Sequence, residues 1–162
     1  MSKIIKVGIA DMKVAKNPHL LTTLGLGSCV GIALYDRENK IGGLAHIMLP
    51  YSNEFKNNSN PLKFADTAVE KLLYKMKEAG SNIEKLTGKI AGGARMFNFK
   101  NGGNDILRIG DRNVLAAKEV LKSFDIPLIS EDTGGTYGRS IVFHLDDGKV
   151  VIKTVGRGIK TI

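Results

Sequence analysis

The only cysteine in the sequence, Cys29, follows two spaced glycines, Gly25 and Gly27, at the end of a strand-like apolar run. Glycine adopts backbone conformations that other residues avoid, so the segment 27–29 can bend where a strand with larger side chains would not. Such a bend can direct two backbone amides toward one point, where they would stabilise the negative oxygen of a tetrahedral intermediate. Cys29 is therefore a candidate nucleophile. The simpler alternative is a small buried hydrophobe, because Val30 and Ile32 suit an ordinary core strand.

A second reactive side chain, His46, lies inside the apolar run 41–49. An unpaired polar group in an apolar strand is costly, so this imidazole requires a partner. A backbone carbonyl would satisfy it, and so would Cys29 on the preceding strand, because thiolate and imidazolium stabilise each other. His19 follows a proline in a polar turn that we expect at the surface, and His144 lies on a strand-like segment with no thiol near it in the sequence. Neither has a stronger claim than His46 to a catalytic role.

The segments around these two residues belong to a larger ordered set. Residues 23–30 read Thr-Leu-Gly-Leu-Gly-Ser-Cys-Val, and residues 43–50 read Gly-Leu-Ala-His-Ile-Met-Leu-Pro. Four further segments follow them: Phe64–Ala68, Lys89–Ala94, Ile109–Asn113 and Glu131–Gly135. In this order the set resembles the CheD family of bacterial chemoreceptor glutamine deamidases and covers most of the chain. Gly-Ser-Cys alone would be weak evidence, whereas the ordered set is specific.

The resemblance implies hydrolytic deamidation of specific glutamine side chains to glutamate on chemoreceptors, the methyl-accepting chemotaxis proteins. It assigns Cys29 as the nucleophile, His46 as the catalytic histidine and Thr23 as the third catalytic residue. A primary amide is a poor electrophile, so a thioester intermediate divides a barrier that water alone crosses slowly. The backbone amides of Cys29 and Ser28 would hold the oxyanion, while His46 would protonate the departing ammonia and then activate water. This chemistry needs no cofactor and no metal ion.

Strand parity separates Thr23 from its neighbour Thr22. Successive side chains of a strand point to opposite faces, so Thr22 shares a face with Leu24 and Leu26, and Thr23 lies with the glycines on the side that leads to Cys29. A general base needs a third group to fix its tautomer, and the parity favours Thr23 for that role. A β-branched residue chosen for strand packing is the structural alternative.

Other functions are compatible with the same residues. Family members also bind and modulate CheC, the CheY-phosphate phosphatase, so the chain could act chiefly as a binding partner. A cysteine protease or a transglutaminase would use the same nucleophile on a different bond or acceptor. Asp132 and Arg139 could serve catalysis or turn structure, and the sequence favours the turn.

The composition predicts a single domain over residues 1–162, because 162 residues with 43% hydrophobic content can form a real core. One cysteine forms no internal disulfide, and no Cys/His cluster has metal-ligand spacing, so we expect a reduced compartment and no structural zinc. The first six residues are too short and too rich in lysine for a signal peptide, and no apolar run approaches a membrane span. We therefore expect a soluble cytoplasmic protein, recruited to membrane-anchored receptors if the resemblance holds.

The formal charge of +8 favours acidic partners. Nucleic acid is the first such partner to consider, but the lysines are scattered and form no block interleaved with aromatic residues. The resemblance offers another target, because chemoreceptor cytoplasmic helices are typically acidic.

The apolar pattern predicts an α+β layered sandwich, with two long helices packed on mixed or antiparallel β-sheet. In the first 49 residues it predicts an antiparallel meander, with a hairpin at 36–40 that places the Cys29 strand against the His46 strand. A loop follows over 50–61, and a helix starts at Asn60-Pro61 and ends at Gly80. The strands are expected at 4–9, 11–15, 20–26, 29–35, 41–48, 86–94, 126–130, 140–145 and 150–155. We also expect a loop at 98–104, a second helix from 110 or 111 that stops before Pro127, and a hairpin turn at 146–148.

Overall fold

The computed structural model describes residues 2–96 and 108–162. The strands are β1 (Ile4–Lys6), β2 (Asp11–Lys16), β3 (Leu20–Leu26), β4 (Val30–Asp36), β5 (Ile41–Ile47), β6 (Thr87–Gly92), β7 (Leu128–Thr133), β8 (Arg139–His144), β9 (Val150–Thr154) and β10 (Gly158–Thr161). The long helices are α1 (Ala65–Glu78) and α2 (Ile109–Ser123). The loop expected at 98–104 lies outside the described residues.

The strands form two five-stranded sheets. The first sheet has the order β1-β3-β8-β9-β10, and the second sheet has the order β2-β5-β4-β6-β7. Each contains one parallel pair, β1 with β3 and β6 with β7, among antiparallel neighbours. The predicted α+β arrangement of mixed sheet with two long helices is confirmed.

The predicted meander is wrong apart from its last hairpin. β4 and β5 pair antiparallel as expected, but β2 crosses to the second sheet and pairs with β5, which leaves β1 to pair parallel with β3. Apolar periodicity shows which residues are buried but not which strand lies beside them, and this explains the error.

The core has two parts. In one, α1 and α2 pack on the second sheet through apolar residues such as Leu72, Leu121 and Ile32. In the other, the two sheets face each other through residues such as Leu21, Leu44 and Phe143. The second sheet is therefore covered on both faces, which accounts for the fully buried β4 and β5.

The first long helix begins later than its sequence signals predict. Asn60 caps a single 3₁₀ turn at Pro61–Lys63, where its side chain accepts a hydrogen bond from the Leu62 amide. Phe64 is then extended and bridges to Leu49, so helical geometry resumes only at Ala65. The proline and its cap were recognised correctly, but pairing with residue 49 interrupts the helix that they would otherwise start.

The last strand, β10, lies at the edge of the first sheet. The strand β10 was not predicted, because every residue in it is exposed and it shows no apolar alternation. Within the described ranges, none of the helices has the length and apolar character required to cross a membrane.

Candidate active site

Cys29 lies in the bend that joins β3 to β4, as predicted. Three hydrogen bonds fix the carbonyls of this bend: the Ala94 amide donates to Gly27 and the Gly93 amide donates to Cys29, both at 2.8 Å, and the Asn113 side chain donates to Ser28 at 2.9 Å. Within residues 2–96 and 108–162, the Ser28 amide donates to no acceptor and the Cys29 amide faces its own sulfur. The three carbonyls of the bend are therefore held by hydrogen bonds, whereas neither amide donates to a backbone carbonyl of the described residues.

The end of β6 approaches this bend closely because it has no side chain there. A Cβ on Gly92 would lie 2.3 Å from the Cys29 carbonyl oxygen, and one on Gly93 would lie 2.2 Å from the Val114 side chain. Both glycines have positive φ, 112° and 67°, which other residues adopt at a cost. The absence of side chains at Gly92 and Gly93 therefore allows the end of β6 to pack directly against the backbone of the bend.

The register of the β4–β5 hairpin brings His46 toward Cys29. Gly31 pairs directly with His46, and Cys29 precedes Gly31 by two residues, in the bend just before the paired segment that begins at Val30. Positions two residues apart across paired strands are separated by about 7–8 Å between backbones, a distance that long side chains can span. Cys29 is half-buried against the core between the sheets, and His46 is fully buried.

Thr23 joins the two sheets through a hydrogen bond with His46. Its hydroxyl lies 2.8 Å from the Val7 carbonyl and 2.7 Å from Nδ1 of His46. A carbonyl only accepts, so the single hydroxyl proton goes to Val7, and Nδ1–H of the imidazole donates to the threonine oxygen. The proton on Nδ1 leaves Nε2 with its lone pair free, and within the described part of the chain Nε2 has no hydrogen-bond partner.

The electrostatics of the pair differ from the sequence expectation. Burial lowers the pKa of His46 from 6.5 to about 4, so the imidazole is neutral at physiological pH. Burial also raises the pKa of the Cys29 thiol, an effect that the hydrogen bond from its own amide only partly offsets. The sequence allowed a thiolate–imidazolium pair, but the resting groups are a neutral thiol and a neutral imidazole. Attack by this thiol on a substrate would therefore require a base to take its proton.

The alternation predicted for β3 holds at Thr23 and Leu24 and is wrong at Leu26. Thr23 is buried between the sheets and Leu24 is 48% exposed, so these two residues lie on opposite faces as predicted, but Leu26 is fully buried on the side of Thr23 and not on that of Leu24. The register of β3 with β8 shifts between Thr23 and Leu26, and Gly25 there has a φ of 66°. This bulge adds a residue and reverses the alternation before the bend is reached.

The other histidines lie apart from this arrangement. His19 is in a turn, where its Nδ1 accepts from the Lys3 amide, and His144 ends β8 opposite Leu20. Neither is hydrogen-bonded to Cys29 or Thr23.

Asp132 and Arg139, for which the sequence favoured a turn, form an ion pair at 3.2 Å with the arginine side chain fully buried. The guanidinium also donates to the Gly92 carbonyl at 3.4 Å, so it holds the end of β6 that packs against the bend.

Sequence reasoning missed Asn113. Its segment was recognised as part of a family pattern, but nothing in the sequence indicated a role for the asparagine. It is fully buried near the start of α2, and its amide nitrogen contacts the carbonyls of both Ser28 and Met48 at 2.9 Å. A polar residue at a core-facing helix position, on the same side as Ala117 and Leu121, was the available signal.

The candidate site contains Cys29 at a bend and a neutral His46. The hydroxyl of Thr23 determines the tautomer of His46. These residues lie on a two-sheet α+β scaffold. This combination is typical of a cysteine-dependent acyl-transfer enzyme. The family model described as CheD chemotactic sensory transduction matches residues 48–154, and the chain belongs to the CheD family.

Relatives support the assignment over the full length. The probable chemoreceptor glutamine deamidase CheD of Caldanaerobacter subterraneus is 57% identical, covering 99% of both chains. Those of Clostridium novyi and Clostridium kluyveri are 56% and 55% identical, covering 98% and 99% of this chain and 97% and 98% of theirs. A distant likeness is to the hypothetical protein YfiH of Bacillus licheniformis, with a TM-score of 0.48 and 15% identity, over 81% of this chain and 59% of that one.

Proposed function

We propose that this chain hydrolyses specific glutamine side chains of chemoreceptors to glutamate, with Cys29, His46 and Thr23 as its catalytic residues. The observation that carries the proposal is the hydrogen bond between Thr23 and Nδ1 of His46, because it leaves Nε2 free as a base on the strand next to Cys29. The choice of substrate is supported by proteins named probable chemoreceptor glutamine deamidases, which are 57% and 56% identical to this chain over 99% and 98% of its length.

The first half of the reaction forms a thioester. Nε2 of His46 takes the thiol proton as the sulfur of Cys29 attacks the glutamine side-chain carbon, so a C–S bond forms and the carbonyl oxygen becomes negative. The amides of Cys29 and Ser28 stabilise that oxygen. The imidazolium then gives its proton to the amide nitrogen, the C–N bond breaks and ammonia leaves.

The second half regenerates the enzyme. With ammonia gone, neutral Nε2 takes a proton from water, and the hydroxide attacks the thioester carbon. The C–S bond breaks, the proton returns to the sulfur, and glutamate is released. Each turnover adds one negative charge to the receptor helix, which changes its repulsion with neighbouring acidic residues.

The test is mass spectrometry of a receptor cytoplasmic fragment incubated with the enzyme. Each Gln converted to Glu raises the mass by about 1 Da, the change expected for a hydrolysed thioester. Cys29→Ala should abolish the change and His46→Ala should abolish most of it, with the fold of both variants retained. Internal cleavage of the fragment would instead show a protease, and cross-linked fragments would show a transglutaminase.

A second candidate role is binding and regulation of the phosphatase CheC. Family membership is its only support, and the geometry of the site does not bear on it. Binding to CheC should persist in Cys29→Ala if this role is separable from catalysis. Loss of binding in that variant would mean that both roles use the same thiol.

A further inference from the structure

The side chain of Asn113 connects the two segments that carry the proposed catalytic residues. Its Nδ2 donates two hydrogen bonds, both at 2.9 Å. One goes to the Ser28 carbonyl in the bend at residues 27–29, which we call the nucleophile bend, and the other goes to the Met48 carbonyl just after β5. The side chain is fully buried. One amide group on α2 thus holds both segments.

The hydrogen bond to Ser28 also determines the direction of the Cys29 amide. The Ser28 carbonyl and the Cys29 N–H belong to the same trans peptide unit, which is planar, so the two groups point in opposite directions. Asn113 holds the carbonyl on the side of α2, and the N–H must therefore point away from the helix. This direction is on the side of the Cys29 sulfur, where the amide helps to lower the pKa of the thiol against the larger effect of burial.

The neighbouring peptide unit is held in the same way by backbone atoms. The Ala94 amide donates to the Gly27 carbonyl at 2.8 Å, which fixes the direction of the Ser28 N–H. Of the two candidate oxyanion donors, only the Cys29 amide is therefore directed by a side chain that substitution can remove.

We propose that Asn113 is a positioning residue that aims the Cys29 amide at the oxyanion. The inference deepens the proposed function and rests on it. An asparagine that merely satisfied two buried carbonyls would affect stability alone. An asparagine that aims a donor affects only reactions that pass through a negative oxygen.

Two reagents for the Cys29 thiol separate these roles. Iodoacetamide is attacked at a saturated carbon, so its alkylation creates no oxyanion. p-Nitrophenyl acetate is attacked at a carbonyl, so its reaction forms a tetrahedral intermediate and releases p-nitrophenolate. The ratio of the two rate constants reports the oxyanion donors independently of thiol exposure and thiol pKa.

The experiment compares the wild-type protein with Asn113→Asp, which has the same shape but no donor hydrogens, and with Asn113→Ala in case the carboxylate prevents folding. Acylation by the ester should fall about tenfold or more in both variants, and alkylation should change by less than about twofold. With the receptor fragment, kcat should fall and KM should stay constant.

Leu121→Ala is the matched control, because it removes packing from the same helix away from the bend. Its ratio of acylation to alkylation rate constants should equal that of the wild type.

Several results would overturn the proposal. Acylation at the wild-type rate in either folded variant would do so, as would an equal fall of both reactions. If the wild type reacts with the ester but leaves the receptor fragment unchanged, the deamidase function is wrong while the ester comparison still decides the role of Asn113. If the ester does not acylate the wild type at Cys29, kcat for the receptor fragment decides the role of Asn113, and an unchanged kcat in folded Asn113→Asp would overturn the proposal.

Discussion

The Thr23 hydroxyl has one proton, and the Val7 carbonyl accepts it. This contact makes the threonine oxygen an acceptor toward His46 and so determines which imidazole nitrogen carries the proton. The bond is 2.7 Å long and lies in a fully buried environment, where no water competes for it. The tautomer required of a base acting on Cys29 is thus set in the ground state.

Removing this hydroxyl should lower the rate of the chemical step. We expect Thr23→Ala to reduce kcat for receptor deamidation by about tenfold or more, because the imidazole loses the group that fixes its tautomer and orientation. Thr23→Ser, which keeps the hydroxyl, should restore most of the activity.

The matched control is Thr22→Ala. The Thr22 hydroxyl donates to the Ile141 carbonyl within the first sheet, so its loss should act on stability rather than on kcat. Steady-state kinetics at equal folded concentration decide the point. A greater loss of activity at Thr22 than at Thr23 would contradict the assignment.

Burial of neutral His46 should make stability depend on pH in a defined window. The native pKa is about 4 and the ordinary value is 6.5, so between these values the unfolded chain binds a proton that the native protein does not. Stability should therefore be complete above about pH 6.5 and fall as the pH decreases to about 4, by roughly 3 kcal/mol.

Urea unfolding at several pH values between 7 and 4 measures this effect. The difference in free energy of unfolding between wild type and His46→Gln should change across the window, whereas His144→Gln, at a partly exposed histidine, serves as the comparison. A difference that stays constant from pH 7 to pH 4 would show that His46 does not titrate as the buried site requires.

At the scale of elements, the position of the nucleophile bend depends on the end of β6, which packs against it. The amides of Gly93 and Ala94, which follow β6, hold two of its carbonyls, and the bare Cα of Gly92 permits the close approach. Bend, strand end and α2 therefore form one packed unit.

Gly92→Ala should consequently disturb the site. Its Cβ would lie 2.3 Å from the Cys29 carbonyl oxygen, so the bend must move, and we expect deamidation to fall about tenfold or more through misplaced oxyanion donors. Gly156→Ala is the control, because Gly156 also has positive φ, 78°, but nothing lies within 4 Å of its Cβ position.

Both variants incur backbone strain of about 1 kcal/mol or more, but only Gly92→Ala should lose activity. Thermal unfolding and kinetics on the same samples separate the two effects. Equal activity in the two variants would show that the bend does not rest on Gly92.

Sequence patterns predicted most elements but not their partners. The buried alternation of β3, the hairpin of β4 with β5 and the apolar faces of both helices follow from local periodicity. The parallel pairing of β1 with β3 does not, because it depends on β2 leaving for the other sheet. The bulge at Gly25 was also invisible, since glycine in a strand is compatible with both regular and irregular pairing.

At the scale of the whole molecule, the candidate site lies between the two sheets. The segments that carry Cys29 and His46 are joined by a local hairpin, which the sequence predicted. Thr23 comes from the opposite sheet, and Asn113 contacts residues 85 and 65 positions away along the chain. Contacts of this kind arise only when the layers pack, and periodicity within one element carries no information about them.

The net charge of the molecule leads to a final prediction. At +8, the protein should be attracted to an acidic receptor fragment over distances that salt screens. Raising NaCl from 50 to 500 mM should lower kcat/KM for such a fragment by about fivefold or more and leave kcat unchanged, because screening slows encounter and not chemistry. Acylation of Cys29 by p-nitrophenyl acetate is the control, because the ester is uncharged and should react at the same rate at both salt concentrations. If kcat/KM for the fragment is equally insensitive to salt, the net positive charge has no part in recognition, and substrate selection must come from contacts around the bend at residues 27–29.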